Sequence, residues 1–230
     1  MAFCYSLPND DGQQSYLLKD AAFDSVLELP KINRFDRPFM VDGVVPFSSR
    51  HSVDSRNFAL SFFERDSKFW KVVLFPEKYV EEFAKFSFVI SPDCSMYRDA
   101  PLISQLSNLF AARRVSYFWQ SVGIDVLPLI RWGSEPTFTK STFSTPPSFA
   151  GVVKGSSVCV SNYGCYKSRA DKYYFRYGFR NMLDYLEPEQ VLLYGSNDRV
   201  LSSMACSTGS TVYHFPDWIS FVHRRVGIDG

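Results

Sequence analysis

The residues best equipped for chemistry lie in one polar stretch, Ser91-Pro92-Asp93-Cys94-Ser95-Met96-Tyr97-Arg98-Asp99, directly after the apolar run Phe88-Val89-Ile90. Two carboxylates in one loop can serve as a general acid and base, or hold a divalent cation. Asp93 follows the apolar run most closely and is the leading acid or base. Asp99 precedes Ala100-Pro101, where a carboxylate is expected to cap the next helix. Glu64, Arg65 and Asp66 end another apolar run. If Glu64 or Asp66 meets Asp93, like charges raise one pKa and create an acid–base pair. Arg131 can grip phosphate or carboxylate with two parallel hydrogen bonds, and Trp132 can stack on a base or sugar. Tyr97 adds a second ring. Ser161-Asn162 and Gly195-Ser196 each end an apolar run before a turn and can hydrogen-bond a phosphate. His214 is a candidate general base, with a structural role as the alternative.

These residues need a scaffold that brings run ends together. Apolar runs at 29–32, 44–47, 57–63, 88–90, 124–130, 157–161, 190–194 and 211–215 read as strands. Helical patterns separate them. Pro76 opens one over 76–86. A second spans 100–121, with Arg113 and Arg114 interrupting its apolar pattern, and stops at Val122-Gly123. A third covers 169–186 and ends at Glu187-Pro188, and a last one begins at Pro216 and runs to about 225. One short helix is expected within 15–27, after a turn at 8–12. The loop over 133–150 is too long and aromatic for an inert linker, and such loops often carry function.

Alternation of strand and helix implies parallel pairing with right-handed crossovers. The expected fold is a single α/β domain, a (β/α) barrel that is closed or incomplete, with a doubly wound parallel sheet as the alternative. Residues 1–28 read as an N-terminal extension and 29–230 as the domain. In either fold, residues just past the strand carboxyl ends share one rim. That rim collects Glu64, Asp66, Asp93, Tyr97, Arg131, Trp132, Ser161, Gly195, Ser196 and His214.

Composition narrows the function. At 46% hydrophobic and 21% charged residues, the chain can build a packed core and is not disordered. A net charge of +1 confines any nucleic-acid contact to a local patch. Arg176 and Arg180, interleaved with tyrosines on the third helix, are the candidates, against the alternative of a solvated helix face. The five cysteines include no CxxC pair and the three histidines are scattered, so no structural zinc site is expected and the thiols are expected reduced. The N-terminus lacks a signal-peptide pattern and no run is long enough to span a bilayer. A cytoplasmic location is expected. No Walker A lysine motif, GxGxxG or GxSxG occurs, so the usual nucleotide cradles and the nucleophile elbow are absent, and the sequence argues neither for nor against a cofactor.

The segments Phe62-Phe63-Glu64-Arg65-Asp66, Ser91-Pro92-Asp93-Cys94-Ser95-Met96-Tyr97-Arg98-Asp99-Ala100-Pro101, Trp119-Gln120-Ser121-Val122-Gly123-Ile124, Leu127-Pro128-Leu129-Ile130-Arg131-Trp132 and Leu193-Tyr194-Gly195 resemble the DUF4417 family. The resemblance covers roughly 29–196, and Arg65 splits two acids that the family often has together. It implies a protein of phages, plasmids or other mobile elements and transfers no activity. Aromatic rings, arginine and carboxylates on one rim suit a nucleotide or another phosphorylated, ring-bearing ligand. Two functions are therefore expected as alternatives. One is a hydrolase with Asp93 as its acid or base. The other is a non-catalytic accessory protein that binds nucleic acid, a nucleotide signal or a host protein in replication or counter-defence.

Overall fold

The structure, a computed structural model, describes residues 14–226. The turn expected at 8–12 and Cys4 lie outside the described residues. A 3-10 turn at Ser15–Leu18 leads into a small antiparallel pair, β1 (Phe23–Asp24) and β2 (Leu29–Pro30). Then β3 (Gly43–Pro46), β4 (Phe58–Ser61), β5 (Phe88–Ile90) and β6 (Val126–Leu127) form a four-stranded parallel sheet in chain order. A three-stranded parallel sheet follows: β7 (Val158–Ser161), β8 (Gln190–Tyr194) and β9 (Thr211–Phe215). A parallel bridge between Leu129 and Cys159 links the two sheets. The helices are α1 (Asp66–Leu74), α2 (Val80–Phe83), α3 (Leu102–Ser121), α4 (Arg169–Leu186), α5 (Arg199–Cys206) and α6 (Trp218–Val226). None of them is long and apolar enough to cross a membrane.

Every residue of β3 through β7 is buried, as parallel strands covered on both faces must be. The two-residue period of a strand divides these side chains between two directions. Val44, Ala59, Phe88, Ile90, Leu127, Cys159, Leu192 and Tyr194 meet in one inner cluster that draws on every strand from β3 to β8. Their neighbours face outward. Val45, Leu60, Val89 and Val126 pack with Phe69, Phe83 and Trp119 of α1, α2 and α3. Val158, Val160, Val191 and Leu193 pack with Phe175, Phe179 and Met182 of α4 and Leu201 of α5. Helix α6 leaves β9 and returns to the first strands, laying Trp218 and Phe221 on Phe58 of β4. No strand ladder joins β9 to β3 among the described residues.

Several expectations change. Residues 76–86 form a 3-10 turn (Pro76–Tyr79) and the short α2 rather than one helix. Helices α1 and α5 appear where the sequence pattern gave none. Only one turn of the helix expected within 15–27 forms, and Asp24 instead closes the β1–β2 turn, accepting from the Ser25 and Gly151 N–H groups at 2.8 and 2.9 Å. Arg113 does not interrupt α3. It is buried in the α3 interior face and donates to the carbonyls of Leu129, Ser148 and Ala150 at 3.2, 3.0 and 3.3 Å. Burial without a carboxylate pulls its pKa down to about 10. The 133–150 loop is largely structural: Thr137, Phe138, Ser148, Phe149 and Ala150 are buried, and Arg113 holds its end.

Candidate functional site

The carboxyl ends of β5, β6 and β7 open onto one cavity of about 340 Å³. Ile130, Arg131 and Trp132 line one side, Met96 to Asp99 another, Ser161, Gly164, Cys165 and Lys167 a third, and Asp171, Tyr174 and Phe175 of α4 the fourth.

The loop after β5 is held from both sides. Pro92 cannot donate to a ladder and ends the strand. The Ser91 N–H still reaches Leu127 O at 3.1 Å, and Ser116 Oγ of α3 donates to Ser91 Oγ at 2.8 Å. Asp66, at the start of α1, accepts from both the N–H and the hydroxyl of Ser95 at 3.0 and 2.7 Å. Asn108 of α3 donates to Ser95 O at 2.7 Å. These bonds fix Asp93, which is buried and faces Arg131, with Nε 3.1 Å from Oδ1. The approach is off the hydrogen-bonding angle, so Oδ1 has no hydrogen-bond donor. Burial pushes the Asp93 carboxyl up, Arg131 opposes that rise, and Asp66 adds to it.

Arg131 donates through Nη1 to Ser161 O at 3.3 Å and contacts Cys165 Sγ at 3.6 Å. Burial works against its charge, but Asp93 and Cys165 outweigh that, and its pKa stays above the ordinary guanidinium value. Its Nη2 makes no hydrogen bond among the described residues and is left for the cavity. Burial pushes the Cys165 thiol up as well, with Arg131 opposing. Trp132 packs on Phe175 of α4 and Phe138, and its indole meets α4 at Gly178, where a Cβ would lie 2.3 Å from Nε1. Only glycine admits the ring there.

On the α4 side, Ser168 caps the helix by accepting from the Asp171 N–H at 3.0 Å, and its hydroxyl donates to Asp171 Oδ2 at 2.8 Å. Asp171 also pairs with Arg98 at 3.4 Å, and the Arg98 guanidinium lies 4.8 Å over the Tyr174 ring. Asp99 does not cap α3. The helix starts later than the sequence suggested, with Pro101 at its N-cap and no side-chain cap bond, so Asp99 stands too far upstream and lines the cavity instead.

The cavity thus brings together Tyr97, Arg131, Trp132 and Ser161, with Asp93 behind Arg131 and Asp66 behind the loop. Other sequence candidates are engaged elsewhere. Glu64 accepts from the Ser48 N–H at 2.9 Å and pairs with Lys68 at 3.3 Å, tying the end of β4 to the chain after β3. His214 shares a face of β9 with the outward Val212, and its Nε2 lies 2.7 Å from Gly195 O. The Asn162 carboxamide accepts from the Ser196 N–H and donates to Ser196 O, both at 2.8 Å, so Gly195 and Ser196 belong to a clamp between β7 and β8. Arg176 grips Asp198 through both oxygens, at 2.8 to 3.1 Å, and Arg180 pairs with Asp184 at 3.0 Å. Sequence reasoning missed Arg98, Cys165 and Asp171, and it read Tyr174 only as one of the tyrosines among the basic residues of the third helix. The Ser168-x-x-Asp171 capping box was the available signal that α4 begins at the site. Among the described residues no three His, Cys, Asp or Glu side chains gather as a metal-binding group.

Parallel strands feeding a charged, aromatic cavity at their carboxyl ends define an α/β protein with a strand-end cavity. The chain belongs to the DUF4417 family, described as a domain of unknown function, whose model matches residues 21–208. Two curated phage proteins are similar to it. The Gene 1 protein of Mycobacterium phage L5 is 33% identical over 137 residues, which is 60% of this chain and 57% of that protein. The Gene 1 protein of Mycobacterium phage D29 is 33% identical over 137 residues, 60% of this chain and 48% of that protein. The chain spans about half the length of these relatives. No solved structure matches.

Proposed function

We propose that this is a phage-associated hydrolase acting on a nucleotide or a similar phosphorylated, ring-bearing ligand in the host cytoplasm. The scaffold is read as an incomplete (β/α) barrel formed by residues 29–230 as one unit, its gap between β9 and β3 covered by α6. The shared inner cluster and the chain-order neighbours support that reading over a doubly wound sheet, whose strand order would reverse.

One observation carries the chemistry. Asp93 is a buried carboxyl with an oxygen lacking any hydrogen-bond donor, beside an arginine with an unused Nη2 at a cavity. A carboxyl whose pKa is raised by burial is suited to general acid–base work. Arg131 and Lys167 would hold the phosphate, and Trp132 and Tyr174 would flank the ring. Asp99, exposed on the opposite wall, is the second carboxylate and would activate water. The test is chromatographic turnover of a nucleotide panel by the parent and Asp93→Asn. Turnover that survives in Asp93→Asn overturns this role for Asp93. Binding without turnover in either protein would favour the accessory reading, to which the direct Arg131–Asp93 pairing also lends support.

A further inference from the structure

We infer that the ligand is one nucleotide of a single-stranded nucleic acid, with its neighbours held outside the cavity by Tyr97, Arg98 and Tyr163. This rests on the nucleotide reading of the cavity and extends it to a polymer.

The mouth of the cavity carries more recognition surface than a single nucleotide could use. Tyr97 is 67% exposed and stacks on no other ring among the described residues. Next to the wall residue Gly164 in the chain, Tyr163 is 43% exposed and leans its ring on Tyr194 at 6.0 Å. Exposed rings at and next to the wall of a polar cavity can serve as stacking platforms for successive bases. Cations stand beside them. Arg98 is half-exposed and lies over the Tyr174 ring, and Lys167 is exposed with no carboxylate partner among the described residues. Of the charges at the walls, Arg98 pairs with Asp171 and Arg131 with Asp93, which leaves Lys167, without a carboxylate among the described residues, to meet a strand phosphate. A base can enter such a cavity only when unstacked, which selects a single strand over a duplex.

The experiment measures fluorescence anisotropy of dye-labelled single strands of about ten nucleotides, as DNA and as RNA, against competing dTMP and UMP. The expected result is that a strand binds about tenfold or more tighter than the mononucleotide and weakens with added salt. Tyr163→Ala should weaken the strand about fivefold or more and leave mononucleotide affinity unchanged. Preference for either sugar supports the inference and names the polymer. Equal affinity for strand and mononucleotide, with Tyr163→Ala silent, overturns the strand and leaves the cavity reading in place. Failure of strands and mononucleotides alike overturns both.

Discussion

Asp198 meets Arg176 through both carboxylate oxygens, accepts the Tyr166 hydroxyl at 2.8 Å, and caps α5 through the Val200 N–H at 3.0 Å. Asp93 meets Arg131 at a comparable distance, yet one of its oxygens has no hydrogen bond at all. Both side chains are largely withdrawn from water. Burial pushes both carboxyls up, but at Asp198 the bonds from Arg176, Tyr166 and Val200 outweigh it and hold the pKa below the ordinary value. At Asp93 burial wins. The same two functional groups therefore make a fully bonded structural joint in one place and an incompletely bonded pair in the other. What distinguishes them is the number of donors supplied to the carboxylate, not the presence of the arginine.

The comparison can be broken by mutation, beginning with the largest effect. Asp93→Asn should cut turnover by roughly 10²–10⁴-fold, while its unfolding free energy changes by less than about 1 kcal/mol. A large stability loss would make Asp93 a second joint. Asp198→Ala should lose about 3 kcal/mol in urea unfolding, because Arg176 is left without its carboxylate, and folded protein should bind ligand as the parent does. Gly178→Val should cost about 1–3 kcal/mol by driving the Trp132 ring off α4. Melting curves check this, and an unchanged midpoint would mean that the indole has room to move. His214→Gln, which disturbs one bond to Gly195 O, should lose about 1 kcal/mol and leave turnover intact.

The pH dependence sharpens the contrast because the two signs are opposite. Asp93 keeps its proton when folded at pH values where the unfolded chain has released it. Its contribution to stability is full below the ordinary carboxyl value of 3.8 and is lost as pH rises through the folded value. Asp198 behaves in reverse, contributing fully above 3.8 and losing that contribution as pH falls through its folded value. Urea midpoints across a pH series should show the parent's advantage over Asp198→Asn growing with pH. The same comparison with Asp93→Asn should show it shrinking. Parallel slopes would erase the distinction.

The strands were legible because fully buried parallel strands are short apolar runs bounded by turn residues, as at Phe88-Val89-Ile90 before Ser91-Pro92. The helices were legible only in part. Helix α5 is short and serine-rich, and α1 carries adjacent valines, so local propensity argues weakly for either. Burial of Phe69, Val72 and Leu201 against the sheets makes them helices. At the site, position after a strand pointed to Arg131 and Trp132, which line the cavity, and to Asp93, which lies behind Arg131. It could not tell a residue that lines a cavity from one consumed by a neighbour. Glu64 and His214 stand at equivalent addresses, but Ser48 and Gly195 claim them. That outcome depends on loop paths no spacing encodes. Asp99 erred in the other direction, because the helix began beyond Pro101.

Helix α6 has a consequence for how the chain is made. It covers Phe58, a residue of the second parallel strand, with rings that emerge from the ribosome some 160 positions later. At ordinary elongation rates that aromatic surface waits about 8–30 s for its cover. Reading frames cut short before Trp218 would leave it permanently bare, so truncated products should be the sticky, chaperone-bound fraction of any preparation. An expression tag placed after α6 tests less of the fold than one that replaces it.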